Sequence, residues 1–200
     1  DLENRLVGII TVDDIVDVIE QETTEDMEKM AALLPSDEEY LKTPVVKLAK
    51  NRIVWLCILM VSGTLSSFII GMYQGILDEA VVLSTFIPIL TGTGGNAGSQ
   101  ASAMIIRGMA LGEVRPRDIF RVLGKEVQVG LICGALLAAL NFCKQTIFSP
   151  STDIMVDLTV SVSMGLVVVV AKAMGCMLPI LAKVCRLDPA IMAGPLITTV

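Results

Sequence analysis

The stretch Pro88-Ile-Leu-Thr-Gly-Thr-Gly-Gly-Asn-Ala-Gly-Ser-Gln100 lies in the middle of an apolar run and decides the fold class. No charged residue occurs from Ala80 to Ile106, which is about the length of one membrane-crossing helix. Pro88 cannot donate a backbone hydrogen bond, and each glycine weakens a helix by roughly 1 kcal/mol relative to alanine. Loosened helix at membrane depth is tolerated where protein buries it or a wet cavity adjoins it. The stretch therefore predicts an unwound segment that lines a pore or a binding site.

The glycines have a second interpretation, because small residues also let two membrane helices pack closely. Close packing does not require Asn96 and Gln100, whose amides need polar partners. Both interpretations place this stretch against other parts of the protein.

The composition is that of a membrane protein that crosses the bilayer several times. Hydrophobic residues make up 54% of the 200 residues, and the mean hydropathy is +0.73. The chain opens without methionine and stops inside an apolar run, so we expect an internal fragment of a longer protein. For that reason the lack of a signal peptide is uninformative.

The composition also argues against an enzyme. The chain has no histidine, which removes the commonest zinc ligand and any Ser/His or Cys/His arrangement. The five cysteines show no CxxC spacing and are predicted to be small buried hydrophobic residues. No nucleic-acid partner is expected.

Apolar segments predict an all-α bundle of five membrane-crossing helices with the fifth truncated. The predicted crossings within a transmembrane domain, 51–200, are 53–77, 80–106, 127–148, 158–182 and 190–200. No acidic residue lies deep in the four complete segments, although a cation pathway without a carboxylate would be electrostatically poor.

The distribution of basic residues predicts the orientation in the cell membrane. All but one of the lysines and arginines from Lys42 to Arg186 that lie in the connecting loops fall on one side of the predicted bundle, and Lys144 falls on the other. By the positive-inside rule the crowded side is cytoplasmic, which also places the N-terminal part in the cytoplasm.

The N-terminal part is acidic. A short strand is predicted over Val7 to Val12, followed by a helix for which Thr11, Asp13 and Asp14 are candidate caps. From Asp13 to Glu39 there are eleven acids and one base, Lys29. Such a helix is either a solvated face or a sensor in which Mg²⁺ or Ca²⁺ relieves the repulsion between carboxylates.

The segment Gly8-Ile-Ile-Thr-Val-Asp-Asp-Ile15 resembles the closing strand and helix of a cystathionine-β-synthase (CBS) domain. The resemblance implies the end of such a domain over 1–24 and a cytosolic connector helix over 25–50, interrupted at Pro35 and Pro44. It further implies that Thr11 and Asp14 hold the ribose of an adenine nucleotide such as ATP.

Across its whole length the chain resembles the MgtE family of magnesium channels. The residues that carry the resemblance are the acidic CBS end, the connector, Gly94-Gly-Asn-Ala-Gly-Ser-Gln100, and Asp188-Pro189 followed by Gly194-Pro-Leu-Ile-Thr-Thr199. The resemblance implies a homodimer that conducts Mg²⁺ along its axis between second and fifth helices. It implies that cytosolic carboxylates bind regulatory Mg²⁺ and close the pore.

The resemblance also assigns residues to these roles. The regulatory acids would be Asp14, Asp17, Glu22, Glu25 and Asp26, and the pore lining would be Gly92, Gly95, Asn96, Gln100, Gly194 and Thr198. Family members can carry Asn where this chain has Gly194, and the family's pore aspartate would lie beyond Val200.

Two further expectations concern transport. Lys172 lies inside the fourth predicted crossing, where an unpaired charge is costly, so it should face the bundle or extend toward an interface. A cation in the conduction path would argue against Mg²⁺ transport. The alternative function is a secondary transporter of another cation or solute that uses a broken second helix.

Overall fold

The computed structural model describes residues 8–36, 40–79, 81–148, 153–192 and 197. Within them every regular element is helical, which confirms the all-α fold. The elements are α1 (Val12–Met30), α2 (Val45–Met72), α3 (Gln74–Glu79), α4 (Val81–Ser84), α5 (Ile87–Ala110), α6 (Ile119–Phe148) and α7 (Ile154–Val184), with short 3₁₀ turns at Pro116–Asp118 and Pro189–Met192.

Three helices in the described part are long and apolar enough to cross a membrane: α2, α7 and a span, Pro116–Phe148, that includes α6. Helix α5 is not among them, because its glycines and polar residues dilute its apolar content. It corresponds to the predicted crossing 80–106 but begins at Ile87, after the short helices α3 and α4. The predicted fifth crossing contributes Pro189–Met192 and Ile197 to the described residues.

The N-terminal strand prediction is wrong for the part that the structure describes. Residues 8–11 form no regular element, and Val12 already belongs to α1. A strand requires a neighbouring strand to receive its hydrogen bonds, and the described residues include none. The predicted boundary between 24 and 25 lies inside α1, which continues to Met30; α2 begins directly after Pro44.

The core is built from α5, α6 and α7. Ile105 of α5 packs with Cys176 and Ile180 of α7, and apolar side chains from α6 and the preceding turn cover them. Helix α7 lies between α5 and α6 in contact with both. By contrast, no residue of the strongly apolar helix α2 is buried, and most of its surface is exposed.

Glycines set the distance between α5 and α7. A Cβ atom built on Gly98 would lie 3.1 Å from the carbonyl oxygen of Ala171, and one on Gly175 would overlap the backbone of Gly98. A Cβ on Gly94 would lie 2.7 Å from Val167 Cγ1. The two backbones therefore meet at a distance that only glycine permits.

Candidate functional site

Helix α5 is continuous from Ile87 to Ala110, so the expected unwinding of Pro88 to Gln100 is wrong. Pro88 lies in the first turn, where its missing N–H would have had no partner in the helix. The glycines are tolerated because α7 packs tightly against them. The interpretation as packing glycines therefore holds for Gly94 and Gly98.

The two faces of α5 nevertheless differ. Gly94, Gly95, Ala97 and Gly98 are buried, whereas Gly92, Asn96 and Gln100 are exposed. The exposed three are spaced four residues apart and so follow one another along one side of the helix. This polar stripe faces away from the packing glycines. The predicted pore residues Gly194 and Thr198 lie outside the described residues.

The acidic helix α1 reaches the start of the predicted fifth crossing. Its C-terminal half contacts the turn Pro189–Met192. Lys29 Nζ donates a hydrogen bond to Asp188 Oδ2 at 2.6 Å and also pairs with Glu25 Oε1 at 2.5 Å. One lysine thus joins a carboxylate of the acidic helix α1 to a carboxylate at the edge of the bundle.

These contacts shift the pKa values of the groups involved. Partial burial, followed by repulsion from Asp188, raises the pKa of Asp26 above its ordinary value. Partial burial acts in the same direction on Asp188, but hydrogen bonds from Lys29 and from the backbone N–H of Ala190 hold the pKa of Asp188 below its ordinary value. The same hydrogen bonds to Asp188 and Glu25 raise the pKa of Lys29. We call the contact between α1 and residues 188–192 the junction. Within it, the charge of the Asp26 carboxylate is poorly compensated.

A cleft of about 500 Å³ adjoins this junction. Its walls come from α1, from the C-terminal ends of α5 and α7, and from Pro189 and Ala190. Glu22, Asp26 and Asp188 supply negative charge, and Lys29, Lys183 and Arg186 supply positive charge. In the described part of the chain, no three acids or cysteines stand close enough to form a ready metal site.

The other predicted regulatory acids lie farther along α1. Asp14, Asp17 and Glu22 are exposed, and Glu25 and Asp26 are partly buried. The five therefore do not form one cluster, and only the last three lie near the cleft or its lysine.

Thr11 and Asp14 form a capping box at the start of α1, as predicted for the cap. The Asp14 carboxylate accepts hydrogen bonds from the Thr11 backbone N–H at 2.8 Å and from the Thr11 hydroxyl at 2.6 Å. These bonds hold the pKa of Asp14 below its ordinary value. Both side chains are exposed, and their binding to a nucleotide stays a prediction.

Comparison with known proteins agrees with this architecture. Residues 87–200 match the MgtE family model, which describes a divalent cation transporter. The chain is 39% identical over 199 residues to the magnesium transporter MgtE of Thermus thermophilus, covering 100% of this chain and 44% of that protein. It is 34% identical over 200 residues to the magnesium transporter MgtE of Bacillus subtilis, covering 98% of this chain and 43% of that protein.

The chain belongs to the MgtE family. The magnesium transporter MgtE of Enterococcus faecalis is also similar, with 32% identity over 199 residues that cover 100% of this chain and 43% of that protein. The chain thus spans less than half the length of these MgtE relatives.

Two polar residues of this MgtE chain were missed because they lie one position outside the predicted crossings. Glu126 precedes 127–148 and Asp157 precedes 158–182, yet both belong to long helices that extend beyond those limits. Lys172 is buried and faces the bundle, with Nζ 4.0 Å from Glu126 Oε2. No acid lies within the predicted bounds 127–148 and 158–182 themselves, but the helices that contain them each carry an acid one residue before those bounds, and Lys172 lies on the side of α7 that meets α6.

Asp188 belongs to the Asp188-Pro189 motif, but its contact with the acidic helix α1 was not predicted. Nothing local distinguishes it, since the residue that pairs with it, Lys29, lies 159 positions away. Such a pair could have been suspected only because Lys29 is the single base among eleven acids.

Proposed function

We propose that this chain is part of a magnesium channel that carries Mg²⁺ passively down its electrochemical gradient. Membership of a divalent cation transporter family and three similar magnesium transporters support the proposal. A membrane potential of about −100 mV contributes roughly 2.3 kcal/mol per elementary charge, so a divalent ion needs no further energy source to enter.

The observation that carries the proposal is the polar stripe on α5. Gly92, Asn96 and Gln100 are exposed along one side of α5, and amides facing lipid would be costly. Mg²⁺ releases its water reluctantly, and amide oxygens can accept hydrogen bonds from a hydrated ion. We place the stripe on the axis of a homodimer, where a second copy covers it and Gly194 and Thr198 complete the pathway; Gly95, which is buried, would not line it.

We further propose that cytosolic Mg²⁺ closes the pore through α1. Lys29 already lies between Glu25 and Asp188 as a cation would, and Asp26 remains repelled by Asp188, Glu22 and Glu25. Oxygen ligands of this kind suit Mg²⁺, which would relieve that repulsion and hold α1 against the turn Pro189–Met192. The exposed Asp14 and Asp17 lie farther along α1. Their carboxylates would bind Mg²⁺ together with carboxylates from elsewhere in the cytosolic part.

The alternative function, a secondary transporter that uses a broken second helix, loses its structural basis. That reading required half-helix ends facing a ligand, and α5 is unbroken. Nothing in the described residues favours it over a channel.

The pore assignment is tested by Mg²⁺ flux into liposomes containing the full-length protein. Asn96→Leu removes an amide from the stripe without shortening the side chain, and we expect flux to fall about tenfold, equivalent to about 1.4 kcal/mol. Thr159→Leu, which makes an exposed polar residue of α7 apolar, should leave flux unchanged. Equal flux in the wild-type and Asn96→Leu proteins would remove α5 from the pathway.

A further inference from the structure

A second group of buried polar side chains lies between α6 and α7, at the ends of these helices remote from Lys172. Asn141 Nδ2 of α6 donates a hydrogen bond to Ser161 Oγ of α7 at 3.1 Å. The Asn141–Ser161 and Glu126–Lys172 contacts show that α6 and α7 run antiparallel. Gln145, one turn later in α6, is therefore at the level of Asp157, one turn earlier in α7. We name these four residues the α6–α7 polar cluster.

Every member of the α6–α7 polar cluster is at least nine-tenths buried. The exposed fractions are 5% for Asn141, 2% for Gln145, 3% for Asp157 and 3% for Ser161. Such burial is costly for amides and a carboxylate unless each polar atom has a partner.

Several atoms of the cluster have no protein partner. Asn141 Oδ1, Asp157 Oδ1 and both Gln145 side-chain atoms are fully buried without a hydrogen bond. Three of these four atoms are oxygens, and they come from both helices. Unpaired acceptor oxygens of both helices are therefore enclosed in the same interface.

The charge at the cluster is also uncompensated. At the opposite end of the α6–α7 interface the partly buried acid Glu126 has Lys172 as its cation, 4.0 Å away. In the part of the chain that the structure describes, Asp157 has no such basic partner. The positive end of the α7 helix dipole lies near the Asp157 carboxylate but is equivalent to only a fraction of an elementary charge. It therefore does not neutralise the carboxylate.

We infer that the α6–α7 polar cluster binds a single alkali-metal cation of the size of Na⁺, held by the Asp157 carboxylate and the side-chain oxygens of Asn141, Gln145 and Ser161. Hard cations prefer oxygen ligands, and one carboxylate with neutral oxygens balances one positive charge. Mg²⁺ fits less well, because it holds its waters and prefers a higher ligand charge.

This site is separate from the proposed pathway. The pathway stripe lies on the exposed side of α5, whereas the cluster is enclosed between α6 and α7. A bound cation would link the C-terminal end of α6 to the N-terminal end of α7, which follow one another in the chain. Its expected role is to stabilise the bundle, so its test does not depend on Mg²⁺ flux.

The inference is tested by thermal unfolding of the full-length protein in detergent with EDTA present, as choline chloride is replaced by NaCl at constant ionic strength. We expect the melting temperature of the wild-type protein to rise along a saturable curve. Asp157→Asn should abolish that rise, and Gln145→Leu should shift its midpoint at least tenfold toward higher NaCl. Asp153→Asn, which changes an exposed acid on the same helix but keeps a capping side chain, should respond as the wild type does.

Binding of radioactive ²²Na⁺ to the same proteins gives a readout that does not depend on stability. Saturable binding that Asp157→Asn loses and Asp153→Asn retains would support the site. Equal melting temperatures in choline chloride and NaCl together with no ²²Na⁺ binding would overturn it and leave water as the occupant.

Discussion

At Gly98 and Gly175 the backbones of α5 and α7 come so close that neither position has room for a side chain. A Cβ on Gly175 would lie 2.9 Å from Gly98 Cα, and backbone atoms cannot move aside as the end of a long side chain can. Gly124 of α6, in contrast, has open space around its Cα. The same residue type therefore has opposite structural importance at these positions.

We expect Gly175→Ala to destabilise the bundle by about 1–3 kcal/mol, the usual cost of overpacking a tight contact. Gly124→Ala should be neutral or stabilising by up to about 1 kcal/mol, because alanine favours helix and meets no neighbour. Thermal unfolding of the two variants in detergent measures the difference. A melting temperature for Gly175→Ala equal to that of the wild type would show that the α5–α7 contact is looser than described.

Helix α1 is an element whose position depends on charge. It is amphipathic but has no buried residue, and the ion pair between Lys29 and Asp188 joins it to the segment that leads into Pro189–Met192. Partly exposed pairs of this kind contribute little each, in the range of about 0–1 kcal/mol. Such an element can be displaced or fixed by a modest change in bound cations.

We expect millimolar Mg²⁺ to protect residues 20–34 of the full-length protein from limited proteolysis. Asp26→Asn removes a carboxylate that Asp188, Glu22 and Glu25 repel, so its cleavage should already be slower without Mg²⁺ and should respond less to the ion. Glu20→Gln, an exposed acid of the same helix, should behave as the wild type. Equal cleavage of the wild type with and without Mg²⁺ would make α1 an ordinary solvated helix.

The pH dependence of this cleavage follows from the raised pKa of Asp26. The docked state favours the protonated carboxyl, so the contribution of Asp26 to docking is complete below its ordinary pKa of 3.8 and is lost as the pH rises through the raised value. In Mg²⁺-free buffer, lowering the pH toward this range should slow cleavage at residues 20–34. A protease active in acid provides the measurement, and Asp26→Asn should show a weaker dependence.

On the scale of the whole molecule, two surfaces of the described bundle lack a partner within the chain. Helix α2 buries no residue, and α5 exposes its polar stripe. The apolar surface of α2 is compatible with lipid, whereas the stripe is not. The proposed homodimer would cover the stripe and leave the surface of α2 to the lipid.

We expect cysteines at Gly92 or Asn96 to join two copies when bifunctional thiol reagents of graded length are added to membranes. The five native cysteines are first replaced by alanine. Leu166→Cys, on an exposed position of α7, is the matched control and should give monomer. Denaturing gel electrophoresis shows the dimer; monomer at Gly92 and Asn96 with every reagent would contradict a pore on the dimer axis.

The sequence alone determined the membrane class, the helical fold, the MgtE family and the cap formed by Thr11 and Asp14, because these follow from composition and local spacing. It did not determine that α5 remains helical, since the packing that favours the helix at Gly94 and Gly98 comes from α7. Nor did it reveal the Lys29–Asp188 pair or the α6–α7 polar cluster. Each joins residues distant in the chain, so only the packing of helices brings their side chains together.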